Sequence, residues 1–206
     1  MNNKKVILIL GFAGFVVIAD NWGVPSILPS ISQSLGIEVA SAALIISAYL
    51  IPFGLFQLVS GLLADRFGKR QVVSFSMVLF TIATGLCALG IGLSDLAFYR
   101  ALTGIFAASV MPLSIALLGD IFPLNERQHA IGTLMSIGFL GQALSMTIGG
   151  SIAYFLNWRG VFVVYAVLAL ISTVLLLTAG RKIPSAESEN TEVLTPYLDL
   201  LKNPSS

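Results

Sequence analysis

Six apolar stretches, each more than 20 residues long and joined by short polar connectors, constrain this chain more than any other feature. They run Val6–Ile31, Ala40–Ala64, Gln71–Leu93, Leu96–Leu118, Ala130–Phe155 and Gly160–Gly180. A helix needs about 20 mostly apolar residues to cross a bilayer, at 1.5 Å of rise per residue. Helix is the required form, because hydrocarbon offers no partner to an unsatisfied peptide group. The residues therefore predict an all-α membrane protein: a six-helix transmembrane bundle over residues 1–180, followed by a cytoplasmic polar linker over 181–206.

Composition excludes the soluble alternative. Of 206 residues 56% are hydrophobic and 10% charged, where a soluble domain carries roughly 25% charged residues. Lipid is the solvent that suits this mixture. The net charge of +1 provides no basic face for a nucleic acid. Cys87 is the single cysteine, so neither an intrachain disulfide nor a cysteine-based metal site is available. The start, Met1-Asn2-Asn3-Lys4-Lys5, resembles a secretory signal. Its apolar stretch is too long for one and no small-residue cleavage site follows, so a retained first helix is expected.

Lysine and arginine set the expected orientation. An amino terminus in the cytoplasm puts Lys4, Lys5, Arg66, Lys69, Arg70, Arg127, Arg181, Lys182 and Lys202 inside. Only Arg159 is left outside, at a helix end. Both termini are thus expected to be cytoplasmic, in a multi-pass protein of the cell membrane.

Sliding Gly61–Val72 onto Gly150–Val161 superimposes Gly, Ala, Arg and Val, with Arg70 falling on Arg159. These are the junctions of helices 2–3 and 5–6, on opposite sides of the membrane. Two three-helix repeats of inverted topology would produce that pattern.

Polar residues are unevenly shared. Asp20, Asn21, Gln57, Arg100 and Gln142 fall within helices 1, 2, 4 and 5, while helices 3 and 6 are plain. An ionisable group at mid-membrane costs about 2.5–3.5 kcal/mol on the insertion scale and usually faces a bundle interior or wet cavity. Helices 1, 2, 4 and 5 are therefore expected to line a polar path, with 3 and 6 as outer support. Asp20 sits roughly 16 Å below the outer end of its stretch and Arg100 roughly 7 Å below the end of its own, within reach of a long arginine. Burial and a neighbouring arginine act oppositely on a carboxylate's proton affinity. Asp20 with Arg100 is thus a candidate proton-coupling site; a static ion pair between helices 1 and 4, or no contact, are the alternatives. Small residues at four-residue spacing, Gly104, Ala108 and Pro112 and then Gly141, Ser145 and Gly149, are assigned to close helix packing. Pro25, Pro29, Pro52 and Pro112 are candidate bends.

The turn Gly61-Leu62-Leu63-Ala64-Asp65-Arg66-Phe67-Gly68-Lys69-Arg70 resembles the helix 2–3 signature of the major facilitator superfamily. Gly61 suits close packing, Gly68 a turn, and the basic cluster a cytoplasmic face. Asp20 through Pro29 looks like the helix 1 pattern of that family's drug/proton antiporter branches. Arg100-Ala101-Leu102-Thr103-Gly104 is similar to its helix 4 motif, and Asn157-Trp158-Arg159-Gly160-Val161-Phe162 to its entry into helix 6. Phe122-Pro123 with Glu126-Arg127 matches the loop after helix 4, and Tyr197–Pro204 the approach to a seventh helix. Two departures stand out. Ser145-Met146 replace the central Gly-Pro of the helix 5 exporter motif, although Gly141, Gly149 and Gly150 are kept. The helix 1 pattern has Trp22 and Pro25 where Thr and Asn are usual.

The resemblance implies one half of a major facilitator fold, whose second six-helix half is missing from this chain or supplied by another copy. It implies alternating access, with Asp20 and Arg100 in proton coupling and Gly61, Asp65, Arg66, Gly68, Lys69 and Arg70 as a conformational gating loop. It also implies that Asp65 contacts the absent half. A substrate cavity walled by Asn21, Trp22, Gln57, Arg100, Met111, Gln142 and Met146 would suit an amphipathic organic solute. Helix packing falls to Gly104, Gly141, Ser145, Gly149 and Gly150. The partners expected are lipid, a small-molecule solute, protons and that second half, with no cofactor and no nucleic acid. Proton-coupled export is the leading function. Uptake symport, which the altered helix 5 motif favours, and a structural half-bundle without transport are the alternatives. An intramembrane protease lacks its base, since the only histidine, His129, is at a cytoplasmic helix end.

Overall fold

A computed structural model describes residues 3–183. Most of the expected linker, with Lys202 and the Tyr197–Pro204 segment, lies outside the described residues. Six helices long and apolar enough to span a membrane follow in order: α1 (Asn3–Leu35), α2 (Val39–Phe67), α3 (Lys69–Cys87), α4 (Leu93–Ile121), α5 (Leu124–Phe155) and α6 (Trp158–Arg181). There are no strands among the described residues. The architecture is the expected all-helical membrane bundle.

Five of the six helices outrun their apolar stretches because polar turns at the membrane surface keep their helical bonds in water. α3 instead ends at Cys87, short of the expected Leu93, because Gly90 and Gly92 follow in the turn. α1 continues through Ser32-Gln33-Ser34 and stops at Gly36, whose φ of +65° opens the turn. α5 begins at Leu124, where hydropathy predicts a connector as far as His129, because Pro123 fixes the backbone at the helix entry. α4 is interrupted between Ala107 and Val110. Pro112 has no N–H to give the carbonyl four residues back, that of Ala108, and the helix yields there. Ser109 in the break donates to Ser76 of α3 at 2.8 Å.

Four pairings organise the bundle: α1 with α5, α2 with α4, and α3 with both α4 and α6. α1 and α4 form the centre, with Leu10, Ala13, Val16, Ile27, Leu96, Val110 and Leu117 buried. α2 and α5 are the least buried. They turn large apolar side chains outward, including Leu55, Leu58 and Leu62 on one and Phe139, Leu140 and Leu144 on the other.

Small residues decide where backbones meet. A Cβ on Gly141 would stand 2.6 Å from the carbonyl oxygen of Phe15, and one on Gly149 3.0 Å from Ser26 Oγ. α5 therefore lies directly on α1. A Cβ on Gly104 would collide with the Tyr49 carbonyl, so α4 lies equally close to α2. Such contacts matter because lipid gives no hydrophobic reason for helices to associate.

α3 and α6 are joined along their length. Thr173 of α6 donates to the Met77 carbonyl at 3.0 Å and lies 3.0 Å from the Thr81 hydroxyl. At one end Arg70 of α3 donates to the carbonyl of Arg181, 3.0 Å away. At the other, Arg159 of α6 donates to the carbonyl of Gly90, just past α3, at 2.9 Å. Arg70 and Arg159 are the two arginines that the repeat alignment superimposes.

Candidate functional site

Asp20 and Arg100 meet. Arg100 Nη1 donates to Asp20 Oδ2 at 2.6 Å, and neither side chain has any exposed surface. Aromatic rings complete the enclosure. The guanidinium carbon lies 4.4 Å from the Tyr49 ring centre and 5.9 Å from that of Phe162, within the range of cation–π attraction. Gly104 makes this possible. Four residues after Arg100, it lets α2 approach until Tyr49 covers the guanidinium.

The pair is under-satisfied. Asp20 Oδ1 and Arg100 Nε and Nη2 are buried with no hydrogen-bond partner. A buried charge pair is favourable only when its remaining donors and acceptors are also met. The arrangement therefore seals an ionisable pair between two membrane-spanning helices with three polar atoms unmet, which is costly in an apolar interior. Arg100 does not line an open wall, as the sequence suggests, because Tyr49 and Phe162 close over it.

The other expected cavity residues divide between two helix pairs. On α1 and α5, Asn21 and Gln142 are half-buried, while Trp22 and Met146 are 42% and 47% exposed. Met111 of α4 is half-buried, its sulfur held over Gly14 of α1. Gln57 is exposed on α2, which packs chiefly on α4.

Hydropathy gives no sign of a polar flank on α5. Asn125, Gln128, His129, Gly132, Thr133 and Ser136 line an open concavity of about 700 Å³. Thr133 and Ser136 donate to carbonyls of their own helix, leaving oxygen lone pairs facing out. Spacings of three and four residues from Asn125 are the signal that identifies this face as one side of a helix.

In the loop between α2 and α3, Gly68 adopts a φ of +89°, a conformation that favours glycine. Lys69 forms an ion pair with Asp120 at the end of α4, 2.6 Å away. Arg66 stacks on Phe67, and Asp65 is exposed. Gly61 faces open space, with no neighbour within 4 Å of where a Cβ would lie. Gly150 is loosely packed, the nearest atom of Ser26 being 3.8 Å from its own Cβ position. Ser145 is buried, and its hydroxyl donates to the carbonyl of Gln142 at 2.7 Å.

Known proteins share this helical fold. The family model of the Major Facilitator Superfamily matches residues 10–205. The puromycin resistance protein pur8 of Streptomyces alboniger is 32% identical over 78% of this chain and 32% of its own length. The multidrug resistance protein fnx1 of Schizosaccharomyces pombe is 30% identical over 95% of this chain and 36% of its own. Among solved structures, a bacterial homologue of the human lysosomal transporter Spinster, inward-facing and occupied, superposes with a TM-score of 0.79 at 21% identity. That match covers 90% of this chain and 46% of the other. The proton:xylose symporter XylE superposes at 0.74 with 20% identity, over 85% of this chain and 44% of its own. The chain thus spans about a third of the curated relatives it matches and under half of these two transporters. Family membership sets aside the intramembrane-enzyme reading. With its helix order, its loop signature and a family match across nearly its whole length in agreement, the chain belongs to the Major Facilitator Superfamily.

Proposed function

We propose that this chain is the amino-terminal half of a proton-coupled exporter of small amphipathic organic solutes, working by alternating access against a second six-helix bundle. The enclosed Asp20–Arg100 pair carries the reading. A buried ionisable pair with unmet hydrogen bonds is costly to hold between α1 and α4, and a proton exchanged at Asp20 as the crevice opens and closes gives that cost a use. The names of the curated relatives, puromycin resistance and multidrug resistance, support export of organic solutes. The solute path runs over the open side of α1 and α5, past Asn21, Trp22, Gln142 and Met146 and along the polar flank from Ser136 to Asn125. Gln57 and Met111 contribute where α2 and α4 border it.

In the same reading the amino terminus is cytoplasmic and the protein lies in the cell membrane. The exposed faces of α2 and α5 meet the second bundle, as do Gly61 and Asp65. Lys69 and Arg70 anchor the gating loop to this half, while Asp65 is free to engage the other.

Puromycin is the first solute to test. Vesicles holding the chain together with a second six-helix bundle should accumulate it when a proton gradient is imposed, and lose that ability when the gradient is collapsed. Asp20→Asn should abolish the uphill movement. Uphill transport that survives Asp20→Asn removes proton coupling at this residue, and indifference of the wild type to the gradient removes coupling altogether.

A further inference from the structure

α3 presents a ridge, Gln71 and Phe75, between two grooves on the side of the bundle that carries the chain's amino terminus. The groove toward α6 is lined by Arg70, Ser74, Val78, Leu176, Leu177 and Arg181 and has a volume of about 320 Å³. The groove toward α2 and α4 holds about 240 Å³ and is almost wholly apolar, with Phe56, Leu63, Phe67, Ile105 and Phe106 among its walls. Phe75, at 65% exposed, stands between them.

The first groove is amphipathic along its length. Its basic end has two arginines, and no acidic residue lines it among the described residues. Arg70 spends one nitrogen on the Arg181 carbonyl, while its Nε is buried without a partner. The Arg181 side chain is exposed at the end of α6. The nearby carboxylate of Asp120 is already engaged by Lys69. From Arg70 to Val78 the groove descends roughly 12 Å along α3, from the headgroup level into hydrocarbon, and becomes apolar as it descends.

We propose that this groove is a binding site for an anionic phospholipid in the leaflet on the amino-terminal side. Its phosphate bridges Arg70 and Arg181. One acyl chain follows Val78, Leu176 and Leu177, and the second passes over Phe75 into the apolar groove beside α2. Basic pockets between membrane helices favour anionic headgroups for this reason. A free phosphate would leave the apolar floor unused, so the lipid is the better fit.

The test compares lipid retention by the full chain in native mass spectrometry, using phosphatidylglycerol and phosphatidylcholine with identical chains. The wild type should retain phosphatidylglycerol preferentially, and Arg181→Gln should lower that preference roughly fivefold, as one arginine near a charged surface contributes. Arg181→Gln keeps the carbonyl that Arg70 binds, so the α3–α6 contact survives, and a thermal melt matching the wild type verifies the fold. Phe75→Ala should weaken retention of both lipids while leaving their ratio unchanged. Equal retention of the two by the wild type overturns the proposal, as does an unchanged preference in Arg181→Gln. Displacement of the lipid by inorganic phosphate alone would identify a free-anion site and overturn it too. If the chain's own Glu187, Glu189 and Glu192 filled the groove, lipid preference would emerge only in E187Q/E189Q/E192Q, which likewise overturns it.

Discussion

The carbonyl of Tyr49 rests on Gly104, and this single contact lays an aromatic ring over Arg100. Packing and electrostatics are therefore one feature here, since the side chain that is missing at position 104 decides how Arg100 is covered. Gly104→Val should destabilise the chain by about 1–3 kcal/mol, the usual cost of overpacking. Gly150→Ala should be nearly neutral, because Ser26 is at ordinary contact distance from that position. Thermal unfolding in detergent compares the two. Equal midpoints would mean that α2 and α4 do not approach as described.

Breaking the buried ion pair should cost more than removing it. Asp20→Ala leaves a sealed guanidinium without its counter-charge, at an expected cost of about 3–5 kcal/mol. The double variant Asp20→Asn/Arg100→Gln should cost clearly less than the sum of its single substitutions. A double-mutant cycle on unfolding free energies measures this. Simple additivity would show that the two side chains act independently.

Two glycines of the loop signature should behave in opposite ways in the isolated chain. Gly68→Ala forces a side chain into a backbone conformation at φ +89°, costing about 1–3 kcal/mol. Gly61→Ala meets nothing and should stay within about 0.5 kcal/mol of the wild type. If Gly61 serves the contact with a second bundle, the same substitution should impair transport once that bundle is present. Melting curves and vesicle uptake read the two effects separately.

The Lys69–Asp120 bridge is partly exposed, at 28% and 32%. Water screens it, so Lys69→Ala should cost less than about 1 kcal/mol, and the difference should shrink in high salt. A larger, salt-independent loss would mean that the lysine is engaged in something other than this pair.

The spans were legible because bilayer thickness imposes a length and an apolar character that few other constraints mimic. Their ends were not, since the turns Ser32–Ser34 and Asn125–Arg127 are helical but polar, and hydropathy marks only where lipid stops. The same blindness hid the flank from Asn125 to Ser136, which begins in a stretch with the polarity of a connector. Asp20 and Arg100 were conspicuous as ionisable groups at membrane depth. Their cover was not, because it depends on Tyr49 and Phe162 arriving from two other helices. Met111 could be named from its chemical type, but the seat of its sulfur over Gly14 depends on α1 and α4 meeting there, which no local pattern marks.

The reciprocal bonds of Arg70 and Arg159 have a mechanical consequence. A strut fastened at both ends and stitched at its middle cannot slide lengthwise without rupturing all three fastenings together. α3 and α6 are thus fastened as a single keel, so a lengthwise stroke of either one is expected to carry the other with it.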